Sequence, residues 1–176
     1  MSFGVRYPAR LLISRDWRTL DLSDNRVNGE LPKEIGDLGN LVELNLSENT
    51  FLGSRTPIPA ALSKLAKLKR LSLSGTGFND EIPRELANIE SMTRLELADM
   101  TWLDGTIPPE FGDLSNLKHL DVSDSGLDGA LPQSLTKLAL EVFYWNRTRL
   151  CSPDNDEFQE WLDGIEDHQG GRKCTG

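Results

Sequence analysis

Two cysteines, two histidines and 7% aromatic residues in 176 positions leave this chain poor in the side chains that build most active sites and metal centres. The C-x-x-C spacing of a zinc site is absent. So are a glycine-rich phosphate loop and an H-E-x-x-H helix. Apolar runs are short, Leu11-Leu12-Ile13 being typical, so no segment is long enough to cross a bilayer as a helix. The opening "MSFGVRYPARLLISRDW" lacks the apolar stretch and cleavage site of a secretory leader. That predicts either a chain retained inside the cell or one whose leader lies outside this sequence. Basic residues are also scarce, 19 Lys+Arg against 28 Asp+Glu for a net charge of −9. Such a balance argues against nucleic acid or an anionic membrane as partner, because both ask for clustered cations. No cofactor is expected.

What the sequence has in abundance is repetition. Pairs of apolar residues one position apart recur at Leu20/Leu22, Leu44/Leu46, Leu71/Leu73, Leu95/Leu97, Leu120/Val122 and Phe143/Trp145, at steps of 24, 27, 24, 25 and 23 residues. The alternation has period 2, which predicts a short strand with its apolar side chains inward. An apolar anchor follows each pair: Val27, Phe51, Phe78, Leu103, Leu127 and Leu150. Then comes a Gly-x-(Leu/Ile)-Pro element, "GELP" at 29–32, "GTIP" at 105–108 and "GALP" at 129–132. Proline fixes φ and gives up its N–H, so it suits the start of a helical turn. Two apolar residues at helical spacing complete each unit, as in Ile35/Leu38, Leu62/Leu65 and Phe111/Leu114. One unit cannot cover its own leucines, whereas a stack of units can. Six strands at roughly 4.8 Å spacing would make a stack on the order of 24 Å.

From Trp17 to Cys151 this pattern resembles the leucine-rich repeat family, in its plant-type subclass: L-x-x-L-x-L-x-x-N-x-L-x-G-x-I-P, with "LVELNLSENTFLG" and "LKRLSLSGTGF" as its clearest examples. The resemblance implies an α/β right-handed solenoid with a parallel concave sheet, a convex side of 3-10 or short helical turns, and a second short strand at each G-x-I/L-P. The tail resembles the end cap of secreted members. The domain reading is therefore an N-terminal edge over 1–16, a solenoid of about five repeats plus a terminal strand over 17–150, and a C-terminal cap over 151–176. At the edge, Tyr7, Leu11, Leu12, Ile13 and Trp17 are candidates to cover the first coil.

Several positions depart from the family's pattern. Its post-strand Asn, which bonds neighbouring backbones, survives only at Asn25 and Asn49; Thr76, Met100, Ser125 and Arg147 take the equivalent places. Thr and Ser can replace part of that bonding and Met cannot, so loosening is expected around Met100. Asp80 stands where Gly is usual. Two units carry extra residues on one flank, "GSRTPIP" (53–59) and "DMTWLDG" (99–105), and insertions in solenoids often mark a binding face. In the tail, Ser152-Pro153 reads as a helix start, and Phe158, Trp161, Leu162 and Ile165 fall on one helical face. Cys151 and Cys174 bracket that helix, so a disulfide would staple the cap to the last coil; two buried free thiols are the alternative. A disulfide would indicate an oxidising compartment, hence an extracellular or secreted location.

Catalysis finds little support. His119, Asp121 and Ser123 share one strand face at i, i+2 and i+4. Parallel side chains cannot converge as a nucleophile and its base must. The chain reads instead as a recognition module for a protein or peptide, with ligand-binding candidates Asp21, Glu43, Asn45, Arg70, Ser72, Arg94, Glu96, His119, Asp121 and Tyr144 on the open face and Trp102 at its flank. Acids gather at both ends, with Arg70 and Arg94 between them. The alternatives are an ice-binding solenoid, disfavoured because the small-residue column Ser23, Ser47, Ser74, Ala98, Ser123, Asn146 lacks Thr, and an inhibitor resembling those of polygalacturonases. Sequons at Asn45 and Asn146 are short enough to arise by chance.

Overall fold

The computed structural model describes residues 16–175; the edge candidates Tyr7, Leu11, Leu12 and Ile13 lie outside them. Twelve short strands follow one another along the described residues. They are β1 (Thr19–Asp21), β2 (Glu43–Asn45), β3 (Arg70–Ser72), β4 (Asp80–Glu81), β5 (Arg94–Glu96), β6 (Leu103–Asp104), β7 (His119–Asp121), β8 (Asp128–Ala130), β9 (Val142–Tyr144), β10 (Arg149–Ser152), β11 (Asp167–Gln169) and β12 (Arg172–Lys173). Seven of them form one parallel sheet in the order β1-β2-β3-β5-β7-β9-β11. The register places Leu44 beside Leu20 and Leu71, then Leu95, Leu120 and Phe143 in the same row. This inward row is buried throughout. The expected leucine-rich repeat solenoid is therefore the fold, and the period-2 alternation is what aims one side chain in three at the core.

Opposite the sheet, 3-10 turns run over Lys33–Asp37, Ala60–Lys64, Arg84–Asn88, Pro109–Asp113 and Gln133–Lys137. Each is entered through a proline, Pro32, Pro59, Pro83, Pro108 or Pro132, and closes on a leucine or isoleucine N–H. A fixed φ and a missing donor cost nothing at that first position. The expected second strands are present as β4 with β6 and as β8-β10-β12, with isolated bridges at Gly29–Leu52 and Pro57–Asn79.

Four expectations change. Phe51 is not the anchor of its unit: it is 64% exposed, while Leu52 is fully buried. The Asn49 backbone carbonyl explains the shift, since it accepts from Leu52 N–H at 2.8 Å and turns Leu52, not Phe51, inward. Phe51→Ala is accordingly expected to change stability by no more than about 0.5 kcal/mol in urea unfolding, as for an ordinary surface substitution; a loss of about 3 kcal/mol or more would restore it to the core. Met100 is not loosened. Its side chain is fully buried, and its carbonyl accepts from Leu103 N–H and Gly126 N–H, both at 3.1 Å. Apolar volume there replaces a bridging amide. In the coil after Ser125, the post-strand bond to the carbonyl three residues back comes from Thr148 Oγ1 to Trp145, at 2.6 Å, and not from Arg147. Trp17 is 38% exposed and covers little.

The cap differs most. Ser152 ends β10, and helix α1 spans Asp156–Asp163, capped by the Asn155 side chain accepting from Phe158 N–H. Phe158 and Leu162 on it and Ile165 just beyond it are buried, and Trp161 Nε1 donates to the Leu138 carbonyl at 2.8 Å. Cys151 and Cys174 are bonded to each other. After the helix, β11 joins the large sheet beside β9, and β12 pairs with β10. The cap thus completes a seventh coil.

Candidate functional site

The outer face of the seven-stranded sheet presents the first and third residue of each strand. Glu43, Arg70, Arg94, His119, Val142 and Asp167 stand in one register row, and Asp21, Asn45, Ser72, Glu96, Asp121, Tyr144 and Gln169 in the next. Among the described residues no secondary-structure element covers them; Val142 and Tyr144 are half-buried and Arg70 and Arg94 exposed. Ten of the eleven candidates from the sequence therefore lie on one surface. Trp102 does not share it. It sits in the turn before β6 and lines a separate cleft with Ser54, Arg55, Gly77 and Asn79.

The charges on this face are largely spent on one another. Arg70 Nη2 meets Glu43 Oε2 at 2.5 Å. That hydrogen bond holds the Glu43 carboxyl below its ordinary range and raises the guanidinium further. Arg94 reaches Glu96 Oε1 through Nε and Nη2, at 3.0 and 2.7 Å. The two central arginines are thus compensated, and the open face keeps an acidic excess from Asp21, Asp121 and Asp167. Asp21 Oδ1 accepts both the hydroxyl and the N–H of Ser23, which lowers its pKa. The same two-residue turn recurs at Asn45–Ser47 and Asp121–Ser123.

His119 is less available than a face residue should be. Only 14% of its side chain is exposed. Burial first, and the nearby Arg94 second, push its pKa down. Its Nε2 lies 3.8 Å from Glu96 Oε1, and the ring meets Tyr144 edge-on with centroids 6.2 Å apart. Ser123 meanwhile donates to Asp121 at 2.7 Å. The apparent triad therefore splits, with the hydroxyl bonded to the carboxylate and the imidazole turned to the preceding strand. Tyr144 donates to Asp167, and that bond raises the phenol's pKa.

Two residues of this face were missed by reading the sequence, Asp167 and Gln169 of β11. The signal was there as spacing. His168 follows Phe143, its register partner, by 25 residues, a step inside the range of the earlier ones. A polar imidazole in the inward position hid it; the ring stacks on Trp145 instead, 5.9 Å between centroids and 15° between planes.

A parallel sheet left open on one side, stacked coil on coil and closed by a disulfide-bonded cap, defines a repeat solenoid. The chain belongs to the leucine-rich repeat family: residues 14–141 match the description "Leucine-rich repeat region". It is 39% identical to Receptor-like protein 35 of Arabidopsis thaliana over 90% of its own length and 19% of that protein's. The chain spans about a fifth of the length of the curated relatives it matches first. Among solved structures it is similar to the Arabidopsis receptor kinase HAESA in complex with the peptide hormone IDA and a co-receptor, with a TM-score of 0.78 and 32% identity over 92% of this chain and 27% of the other. It is also similar to a plant ice-binding protein, with a TM-score of 0.71 and 28% identity over 80% and 45% of the two chains. Among the described residues no helix is long and apolar enough to cross a membrane.

Proposed function

We propose that this chain recognises an extended peptide, free or as part of a protein, on the open face of its seven-stranded sheet, outside the cell, and carries out no reaction on it. The observation that carries this reading is the pair of outward polar rows in register across the described strands with no element packed on them. Side chains repeating at each strand can meet successive residues of an extended ligand. The likeness to a peptide-hormone receptor supports the ligand class. The disulfide supports the compartment, since such bonds persist where conditions are oxidising. The contact residues would be Asp21, Glu43, Asn45, Arg70, Ser72, Arg94, Glu96, Asp121 and Tyr144, with His119 holding Tyr144 edge-on. Against ice binding, the hydroxyls of Ser23, Ser47 and Ser123 are already bonded to their neighbours two residues back.

An array of synthetic peptides probed with the intact chain tests the proposal. For a peptide that binds, Tyr144→Ala is expected to cost about 2 kcal/mol, as interface aromatics do. Asp121→Ala should act chiefly on the association rate, with an effect that fades in salt. Lys33→Glu and Lys137→Glu, on the opposite turns, should leave affinity unchanged. Loss of binding in the lysine variants with silence at Tyr144 and Asp121 would place the ligand elsewhere.

A further inference from the structure

Off the open sheet, the two inserted segments meet. The first closes a turn in which Thr56 N–H and Oγ1 both bond the Gly53 carbonyl, leaving Arg55 in the left-handed region at φ 67°. Asn79 N–H then bonds the Thr56 carbonyl at 3.0 Å and fixes Asn79 beside the turn. From the second segment comes Trp102, 70% exposed. Between them lies a cleft of about 250 Å³ lined by Ser54, Arg55, Gly77, Asn79 and Trp102. Gly77 forms part of its wall because nothing larger fits: a Cβ there would stand 2.7 Å from the Thr50 carbonyl oxygen and 2.8 Å from Ser54 Oγ.

The polar inventory of this cleft is unspent. Asn79 Oδ1 is buried and has no hydrogen-bond partner among the described residues. A buried acceptor without a donor is costly, and native structures rarely leave one. The Arg55 guanidinium and the Trp102 indole N–H also bond no other described residue, in contrast to Arg70 and Arg94 on the sheet. Among the described residues, Trp102 is the one apolar side chain lining the cleft. An apolar peptide anchor would want several apolar walls around it, and here it would find a single plane with polar groups on the other sides. A ring with a flat C–H face, hydroxyls at its edge and one carboxylate meets every group present.

We propose that this flank cleft binds an acidic sugar unit, a hexuronate ring stacked on the Trp102 indole, with a ring hydroxyl bonded to the Asn79 side-chain amide and the carboxylate accepting from Arg55. It is a site distinct from the peptide surface proposed above, and neither depends on the other.

The test is a titration of the intact chain with trigalacturonate and, separately, with neutral galactotriose, following the four indole N–H resonances by NMR. Trp102 is expected to shift with the acidic trisaccharide, which should bind about tenfold or more tighter than the neutral one, as one charge-assisted bond allows. Arg55→Gln should bring the acidic sugar down to the neutral one's affinity. Asn79→Ala should weaken both, and Trp102→Ala should abolish both. Because Trp102 is exposed, its loss leaves the fold intact and keeps the test readable even if Asn79→Ala misfolds. Tyr144→Ala and Asp121→Ala, on the sheet, should leave the affinity for both sugars unchanged. The proposal is overturned if Trp102 fails to respond to either sugar, if the two sugars bind equally and Arg55→Gln is silent, or if Trp102 answers only to a peptide.

Discussion

Gly53→Val is expected to cost this protein about 4 kcal/mol or more, enough to rank among exceptional single substitutions. Gly53 has φ +70°, and a Cβ built on it would stand 2.1 Å from Cδ1 and 2.3 Å from Cε1 of Phe78. Two penalties therefore combine. A β-branched residue held in the left-handed region costs roughly 1–3 kcal/mol. Forcing extra atoms against a close-packed ring costs typically 1–3 kcal/mol more. Phe78 cannot yield cheaply, because it is fully buried in the core. Gly29→Ala separates the two terms. Gly29 is also left-handed, at φ +84°, but nothing lies within 4 Å of its would-be Cβ, so only the backbone penalty of about 1–2 kcal/mol applies. Urea midpoints of the two variants decide it. If Gly53→Val proves no worse than Gly29→Ala, the close approach of Gly53 to Phe78 is wrong. Phe78→Leu in the valine background should recover part of the loss, as expected for two residues in contact.

The same coil marks where sequence reading stopped working. The strands were legible because apolar residues one position apart recur at nearly constant steps, and because Pro and Gly fall where a turn must start or bend. Phe51 and Leu52 were not separable, since both are apolar and an insertion follows at once. Only the Asn49 backbone bond decides which of them turns inward. Met100 looked like a defect because the sequence displays the missing amide and not the space that the longer apolar chain fills. The seventh coil escaped notice because His168 occupies the leucine position. On the open face, sequence placed ten residues on one surface from periodicity alone. It could not tell that Arg70 and Arg94 are each claimed by a neighbouring carboxylate, as that depends on rotamers and on pairing across strands. The flank cleft was visible only as two insertions and an exposed indole. Asn79, whose side-chain amide lines the cleft, lies outside both insertions.

The cap should be the part of the molecule most sensitive to reduction. Cys151 and Cys174 close a loop with a sequence separation of 23. Chain entropy alone predicts roughly 3 kcal/mol for a loop of that order. The bond joins β10 of the sixth coil to the segment just after β12, and Cys174 N–H also bonds the Ser152 carbonyl at 2.9 Å. Without it, β12 is held by a two-residue pairing, and β11 loses one of the two ends that hold it in place. Helix α1 keeps its own attachments, Phe158 and Leu162 in the core and Trp161 on the Leu138 carbonyl. In a solenoid each coil is stabilised mainly by its neighbours, so damage at one end should stay local. The Cys151→Ser/Cys174→Ser double variant is therefore expected to lose about 2–4 kcal/mol, and the loss should be uneven along the chain. Hydrogen exchange should show β11 and β12 opening first, then β9, while β2, β3 and β5 keep protection close to that of the parent. Tyr144 would lose its bond to Asp167 with β11, so peptide affinity should fall in the reduced protein even though Tyr144 itself is unchanged. Uniform loss of protection from β1 to β11 would mean that the cap holds the whole stack, and not only the last coil.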